Sequence, residues 1–152
     1  MDYLSVADRS WPVLRRAFDV HRFVYEASDG RIGRRIPGLR APMLLIDHVG
    51  AKSGVKRTTP LLYVDDPPNV VLVASKGGYS KNPAWYHNLV ANPETTARIG
   101  RERRPVRARV ATPEERERLW PMAVRTYRPY ADYQRRTGRE IPLVILERRA
   151  AT

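Results

Sequence analysis

The rhythm of hydrophobic and polar positions changes once, and sharply, along this chain. Near the start, Trp11, Leu14, Phe18 and Tyr25 recur at helical spacing with arginines between them, which predicts an amphipathic helix over 11–27 ending near Ser28-Asp29-Gly30. A basic stretch broken by Gly and Pro, RIGRRIPGLR at 31–40, links this helix to the remainder of the chain. Beyond it the runs become short and apolar. PMLLIDHV (42–49), TPLLYVDD (59–66) and NVVLVASK (69–76) read as strands, with Pro67-Pro68 as a tight connection between the second and third. TARIG (96–100) and RPVRARVA (104–111) add two strands turning around Arg101–Arg104, and IPLVILE (141–147) a sixth.

Helices fill the gaps. In NPAWYHNLVANP (82–93), Asn82 suits a cap with Pro83 at the first helical position, and a second Asn-Pro closes the segment. Thr112 followed by Pro113 and Glu115 has the capping-box spacing, so a helix starts there. PYADYQRRTG (129–138) predicts one more short helix. Six strands joined mostly by short connections imply a mainly β (α+β) fold, an antiparallel sheet or small barrel with helices at its openings and ends. Strands do not alternate regularly with helices and no G-x-G-x-x-G is present, which argues against a Rossmann sheet. The expected organisation is a helix over 1–30 and a β domain over 31–152 forming one domain overall.

Composition narrows the chemistry. A chain of 152 residues that is 42% hydrophobic has the size and content of one folded domain. It has no cysteine, hence no disulfide, thiolate nucleophile or Cys-based metal site. No apolar run reaches the length of about 18 residues that a membrane helix needs, and the acidic, polar start MDYLSVADRS does not suit a secretory signal. The expectation is a cytoplasmic protein. The formal net charge of +12 favours an anionic partner, whether nucleic acid, an anionic membrane or a polyanionic small molecule. His48, His87 and His21 lack the partners that would make a metal or acid–base site, so structural or solvent roles are expected and no metal.

The lysines fall only at 52, 56, 76 and 81, in two glycine-containing stretches. The first, GAKSGVKR (50–57), is not a Walker loop, because Ala51 rather than glycine precedes Lys52 and Ile46 stands where the first glycine belongs. It still holds the parts of an anion cradle: glycines, the Ser53 hydroxyl, Lys52, Lys56 and Arg57. A solvated hairpin turn is the other reading. The second stretch, ASKGGYSKNPAWYHNL (74–89), runs a strand into Ser75-Lys76-Gly77-Gly78 and then into a helix start. Paired glycines let a backbone approach a flat ligand, and a helix N-terminus offers free N–H groups. Trp85 and Asn88 lie about one turn apart on the same side of that helix. These parts suit a planar heterocycle with a phosphorylated tail, or else a structural turn with Trp85 in the core.

Three segments carry a resemblance. GAKSGVKRTTPLLYV, VASKGGYSKNPAWYHNLVANP and YRPYADYQRRTGREIPLVILE together resemble the deazaflavin-dependent nitroreductase and F420H2-dependent quinone reductase family, small split β-barrel oxidoreductases that use coenzyme F420. The similarity runs from about Gly30 to the C-terminus and leaves the N-terminal helix outside. It implies that Lys52, Ser53, Gly54 and Arg57 bind the phosphate of the F420 tail, with Pro60 and Leu61 along the ring. It implies further that Ala74, Ser75, Lys76, Gly77 and Gly78 lie along the deazaflavin, and that Asn82, Pro83, Trp85 and Asn88 complete the pocket.

The reaction so implied is hydride transfer from the reduced 8-hydroxy-5-deazaflavin to a quinone, enone or nitroaromatic stacked against it, the protein supplying position and protons. Tyr130 and Ser75 are the candidate proton donors. Tyr127, Tyr130 and Tyr133 recur every three residues, so they can share one helical face across the acceptor opening. Leu62 stands where some relatives have a tyrosine, which removes a possible donor to a nitroimidazole. An FMN-binding split barrel is the nearest alternative. A basic nucleic-acid-binding barrel is the other; against it, the aromatics gather around two glycine loops instead of spreading along strands, so no nucleic acid is expected. The face carrying Trp11 and Phe18 also permits weak contact with the inner surface of a membrane.

Overall fold

The structure is a computed structural model that describes residues 41–150. The helix predicted over 11–27 and the basic linker over 31–40 lie outside the described residues. Six strands form the domain: β1 (Met43–Val49), β2 (Lys56–Asp66), β3 (Asn69–Val73), β4 (Glu94–Ile99), β5 (Glu102–Val110) and β6 (Leu143–Arg148). They close into an antiparallel barrel in the order β1-β2-β3-β6-β5-β4. Its seam is short, Leu45 against Arg98 and Ile46 against Ala97. This is the split-barrel architecture.

Period-two alternation determines which residues fill the barrel. Leu44 and Ile46 of β1, Tyr63 of β2, Val70 and Leu72 of β3, Ala97 and Ile99 of β4, Val106 and Ala108 of β5, and Val144 and Leu146 of β6 form one buried cluster. Helix α1 (Ala84–Ala91) adds Trp85 and Leu89 to it. Each fully buried aliphatic side chain of this kind contributes roughly 1.5–3 kcal/mol, so the barrel interior is the main source of stability. The other strand faces supply a second cluster. Val64, Val71, Val73, Leu143 and Ile145 pack there with Leu119 and Ala123 of α2 (Pro113–Thr126) and Tyr130 of α3 (Pro129–Arg136).

The Thr112 capping box forms as its spacing predicts. Thr112 Oγ1 accepts from the Glu115 backbone, and Glu115 Oε1 accepts from the Thr112 N–H. Several predicted boundaries shift for local reasons. β3 ends at Val73 rather than 76, because Lys76, Gly77 and Gly78 have positive φ and form a 3₁₀ turn. The β4–β5 turn is Gly100-Arg101, with Gly100 at φ 60°, so Arg103 and Arg104 belong to the strand. β6 starts at Leu143, after Pro142. Asn82 does not cap α1: Pro83, at ψ 154°, occupies the cap position and Ala84 is the first helical residue. Tyr127 lies between α2 and α3 instead of on the same helix as Tyr130 and Tyr133.

Candidate functional site

The cation loop connects β1 to β2. The Gly50 N–H donates to the Val55 carbonyl and the Gly54 N–H to the Gly50 carbonyl, both at 2.9 Å, and the turn closes through Gly54 at φ 70°. A side chain at Gly50 would bring its Cβ to 2.3 Å from Ser53 Oγ, which itself accepts from the Val55 N–H at 3.2 Å. Lys52, Ser53, Gly54, Lys56 and Arg57 are all exposed. A rigid turn therefore presents three cations to solvent, the donor chemistry that an anionic group requires.

This loop is anchored from beneath. The Ala51 N–H donates to Asn88 Oδ1 at 2.9 Å, and the buried Asn88 Nδ2 lies 3.0 Å from His48 Nδ1. Only the amide oxygen can accept from a backbone N–H, so Nδ2 is left to donate to His48. His48 Nδ1 must then be unprotonated, and Nε2–H donates to Thr59 Oγ1 at 2.8 Å. Burial pushes the His48 pKa down, the nearby Arg57 lowers it further, and Asp47 works in the opposite sense. The structural role expected for His48 from the sequence is the one it has.

The glycine loop leaves β3 through Ala74 and Ser75, both buried. The Gly78 N–H donates to the Ser75 carbonyl at 2.9 Å and the Tyr79 N–H to the Lys76 carbonyl at 3.2 Å. Gly78 is at φ 81°, and a Cβ there would lie 3.0 Å from both Tyr133 Cα and the Tyr133 carbonyl oxygen. The absent side chain is what lets α3 close on this loop. Among the described residues, a Cβ on Gly77, at φ 64°, would have only Tyr79 Cε1 within 4 Å, at 3.8 Å.

One residue not singled out from the sequence organises this loop. Arg139 donates from Nη2 to the Ser75 carbonyl at 2.8 Å, from Nε to the Tyr79 carbonyl at 3.0 Å and from Nη1 to Asn82 Oδ1 at 2.7 Å. This explains why Asn82 is not a cap: its side chain is held by the guanidinium. The available signal was an arginine next to Gly138, in the short connection between a helix and a buried strand.

The acceptor-side candidates come together on the outer face. Leu62, Tyr127 and Tyr133 pack against the cluster that buries Tyr130. The Tyr127 and Tyr130 rings meet edge to face with centroids 4.9 Å apart, Tyr133 sits 6.3 Å from each, and the Tyr127 and Tyr133 hydroxyls are 3.3 Å apart. Desolvation pushes the Tyr130 pKa well above that of an ordinary phenol, so the hydroxyl stays protonated. Leu61, one residue along, turns to the barrel interior with Trp85 and Tyr86. Trp85 is thus a core residue of the barrel mouth. Beside Leu61, β3 pairs with β2 only from Tyr63 onward, so among the described residues β2 over Arg57–Leu61 is paired on its β1 side alone. Pro60, which has no N–H, fits such a one-sided stretch.

Comparison with known proteins decides the family. The sequence profile of the F420H(2)-dependent quinone reductases matches residues 17–148. The chain belongs to this family. It is 49% identical to the putative F420H(2)-dependent quinone reductase Rv3178 of Mycobacterium tuberculosis over 108 residues, covering 71% of this chain and 91% of that protein. The F420H(2)-dependent quinone reductase Rv1261c of the same species is 43% identical over 133 residues, covering 86% and 89%. Among solved structures, one described as an F420-H2 dependent reductase (FDR-A) superposes with a TM-score of 0.65 at 46% identity, covering 70% of this chain and 94% of that one. This member of the family is accordingly an F420H2-dependent oxidoreductase, and the FMN and nucleic-acid readings are not favoured.

The residues present fit the cofactor of the quinone reductase family. F420 has a flat ring and a tail made anionic by a phosphodiester and glutamates. The three exposed cations of the Lys52–Arg57 loop match the charge of that tail, and the open face of Gly77 leaves room for a flat group against the backbone. Among the described residues no helix is long and apolar enough to cross a membrane.

Proposed function

We propose that this protein reduces a quinone-type acceptor with F420H2, and that the two anchored loops bind the cofactor. Lys52, Ser53, Gly54 and Arg57 take its phosphate, and Ala74 to Gly78 with Pro60 and Leu61 flank the ring. Bound in the reduced form, F420 supplies a hydride. The other roles fall to the chain. Asn88 and Asn82, held respectively by Ala51 with His48 and by Arg139, keep the two loops in place. Leu62, Tyr127 and Tyr133 give the acceptor an apolar and aromatic wall. Tyr130, packed against the Tyr127 and Tyr133 rings of that wall, is the proton donor to the acceptor oxygen. Ser75, buried at the end of β3 as Tyr130 is in α3, is the second candidate donor.

The observation that carries this reading is the pairing of a rigid, exposed cation loop with a glycine loop closed against a tyrosine cluster. It is tested by mixing the protein with F420H2 and a water-soluble quinone and monitoring the return of oxidised F420 absorbance. Catalysed return that saturates with quinone supports it. Turnover of an enone or nitroaromatic with no response to quinones would overturn the acceptor class. Leu62 in place of a phenol favours quinones over nitroimidazoles, because an apolar wall offers a nitro group no hydrogen bond.

A further inference from the structure

We infer that Arg139 is a positioning residue for the proposed reaction, locking the cofactor-side loop Ser75–Asn82 to the acceptor-side helix α3 so that the two move as one unit. This rests on the functional reading above and adds a residue and a role to it. The loop has little regular structure of its own: one 3₁₀ turn with positive φ at Lys76, Gly77 and Gly78, which the two glycines adopt freely but which for Lys76 needs support from its surroundings. Arg139 gives that support at three separate points, Ser75, Tyr79 and Asn82, spanning the loop from its entry to the start of α1. Thr137 Oγ1 adds a second bond to the Tyr79 carbonyl at 3.3 Å. The guanidinium is ionised, so its bonds to these three neutral oxygens are charge-assisted and stronger than neutral ones.

The other end of Arg139 is fixed to α3. Gln134 Nε2 donates to the Arg139 carbonyl at 2.8 Å, and Gln134 Oε1 accepts from the Ile141 N–H at 2.9 Å. Arg116 of α2 reaches the Ile141 carbonyl at 2.5 Å and Gln134 Oε1 at 3.2 Å. The segment 137–141 is therefore rigid at its backbone and projects one guanidinium into the loop. Independently, Gly78 meets the α3 backbone at Tyr133 with no space for a side chain. Two contacts thus determine how far the glycine loop stands from Tyr130 and Tyr133. Lysine cannot reproduce the first of them, because one ammonium does not match a planar fork that serves three acceptors.

The test compares wild type, Arg139→Gln, Arg139→Lys and Arg139→Ala by hydrogen exchange without cofactor and by F420 titration. In Arg139→Gln, amide exchange over 75–82 should accelerate about tenfold or more while β1, β4 and β5 keep their protection. F420 affinity should fall roughly tenfold, Arg139→Lys should lie between glutamine and wild type, and guanidinium ion should restore Arg139→Ala whereas equal ionic strength of sodium chloride should not. The acceptor KM should change less than kcat, since the aromatic wall stays intact while its distance from the loop is no longer fixed. Unchanged exchange over 75–82, an equal loss of protection throughout the barrel, or no response to guanidinium would overturn the proposal. If wild type binds no F420 but Arg139→Gln still loosens 75–82 selectively, the locking role stands and the functional reading falls.

Discussion

Asn88 Oδ1 accepts the Ala51 N–H at 2.9 Å, across 37 residues of sequence, and the same amide donates to His48 Nδ1 at 3.0 Å. One buried side chain on the plugging helix thus holds the cation loop to the barrel. Asn88→Ala leaves a backbone N–H and a buried ring nitrogen without partners, so it should lower stability by about 1–3 kcal/mol. It should also weaken F420 binding, because the loop loses its anchor. Asn88→Asp keeps the acceptor for Ala51 but cannot donate to His48, so it should preserve more affinity and raise the His48 pKa. Chemical denaturation, F420 titration and NMR titration of the ring check the three outcomes.

The same triad predicts an acid sensitivity. In the fold the His48 pKa is depressed, chiefly by burial and then by Arg57, against the opposing Asp47. The unfolded chain, with its ordinary pKa near 6.5, therefore takes up a proton that the folded one refuses. The stability that His48 contributes is complete above about pH 6.5 and declines as pH falls from there toward the folded-state pKa. Protonation would also place a donor on Nδ1 facing the Asn88 NH2. Thermal melts between pH 7.5 and 5 should show a steeper loss for wild type than for His48→Asn, and parallel curves would contradict this.

Gly77 and Gly78 separate conformational from steric demand. Both have positive φ, but only Gly78 has backbone atoms where a Cβ would go. Gly77→Ala should cost about 1 kcal/mol, the usual penalty for a left-handed non-glycine residue. Gly78→Ala must also push Tyr133 away, so it should cost more and should raise the acceptor KM as α3 shifts. Equal effects of the two substitutions on KM would contradict the contact's importance.

Tyr130→Phe tests the proton donor. The ring packs edge to face on Tyr127 at 4.9 Å, and phenylalanine preserves that packing, so stability should change little. If the hydroxyl delivers the proton, kcat should fall by about 10²-fold or more with F420 affinity unchanged. Because the Tyr130 pKa is held above that of an ordinary phenol, wild-type turnover should not lose its donor on approaching pH 10. An unchanged kcat in Tyr130→Phe would remove it from the chemistry.

How far the sequence could be read depends on the range of the forces involved. The strands were readable because period-two alternation is local: Leu44 and Ile46, or Val70 and Leu72, announce a barrel-facing side without knowledge of their partners. The Thr112–Glu115 capping box is similarly local. Asn82 misled because Asn-Pro is a good helix start by itself, whereas its partner Arg139 lies 57 residues on. Arg139 was hidden for the same reason: nothing near it in sequence shows that three acceptors converge on it. Trp85 admitted two readings until α1 was placed in the barrel mouth, where the ring joins Leu44 and Leu89. The tyrosines kept their association but not their shared helix, since α2 ends at Thr126 and only packing brings Tyr127 back to Tyr130.

The central claim, that the exposed cation loop holds the anionic part of F420, is tested most directly by a fluorescence titration. Wild type, Lys52→Ala and Arg57→Ala would each be titrated with F420 and, separately, with FMN. Saturable F420 binding that weakens in both variants and with added salt, and exceeds the response to FMN, is the predicted result. FMN binding without an F420 response, or F420 binding indifferent to both substitutions, would contradict it.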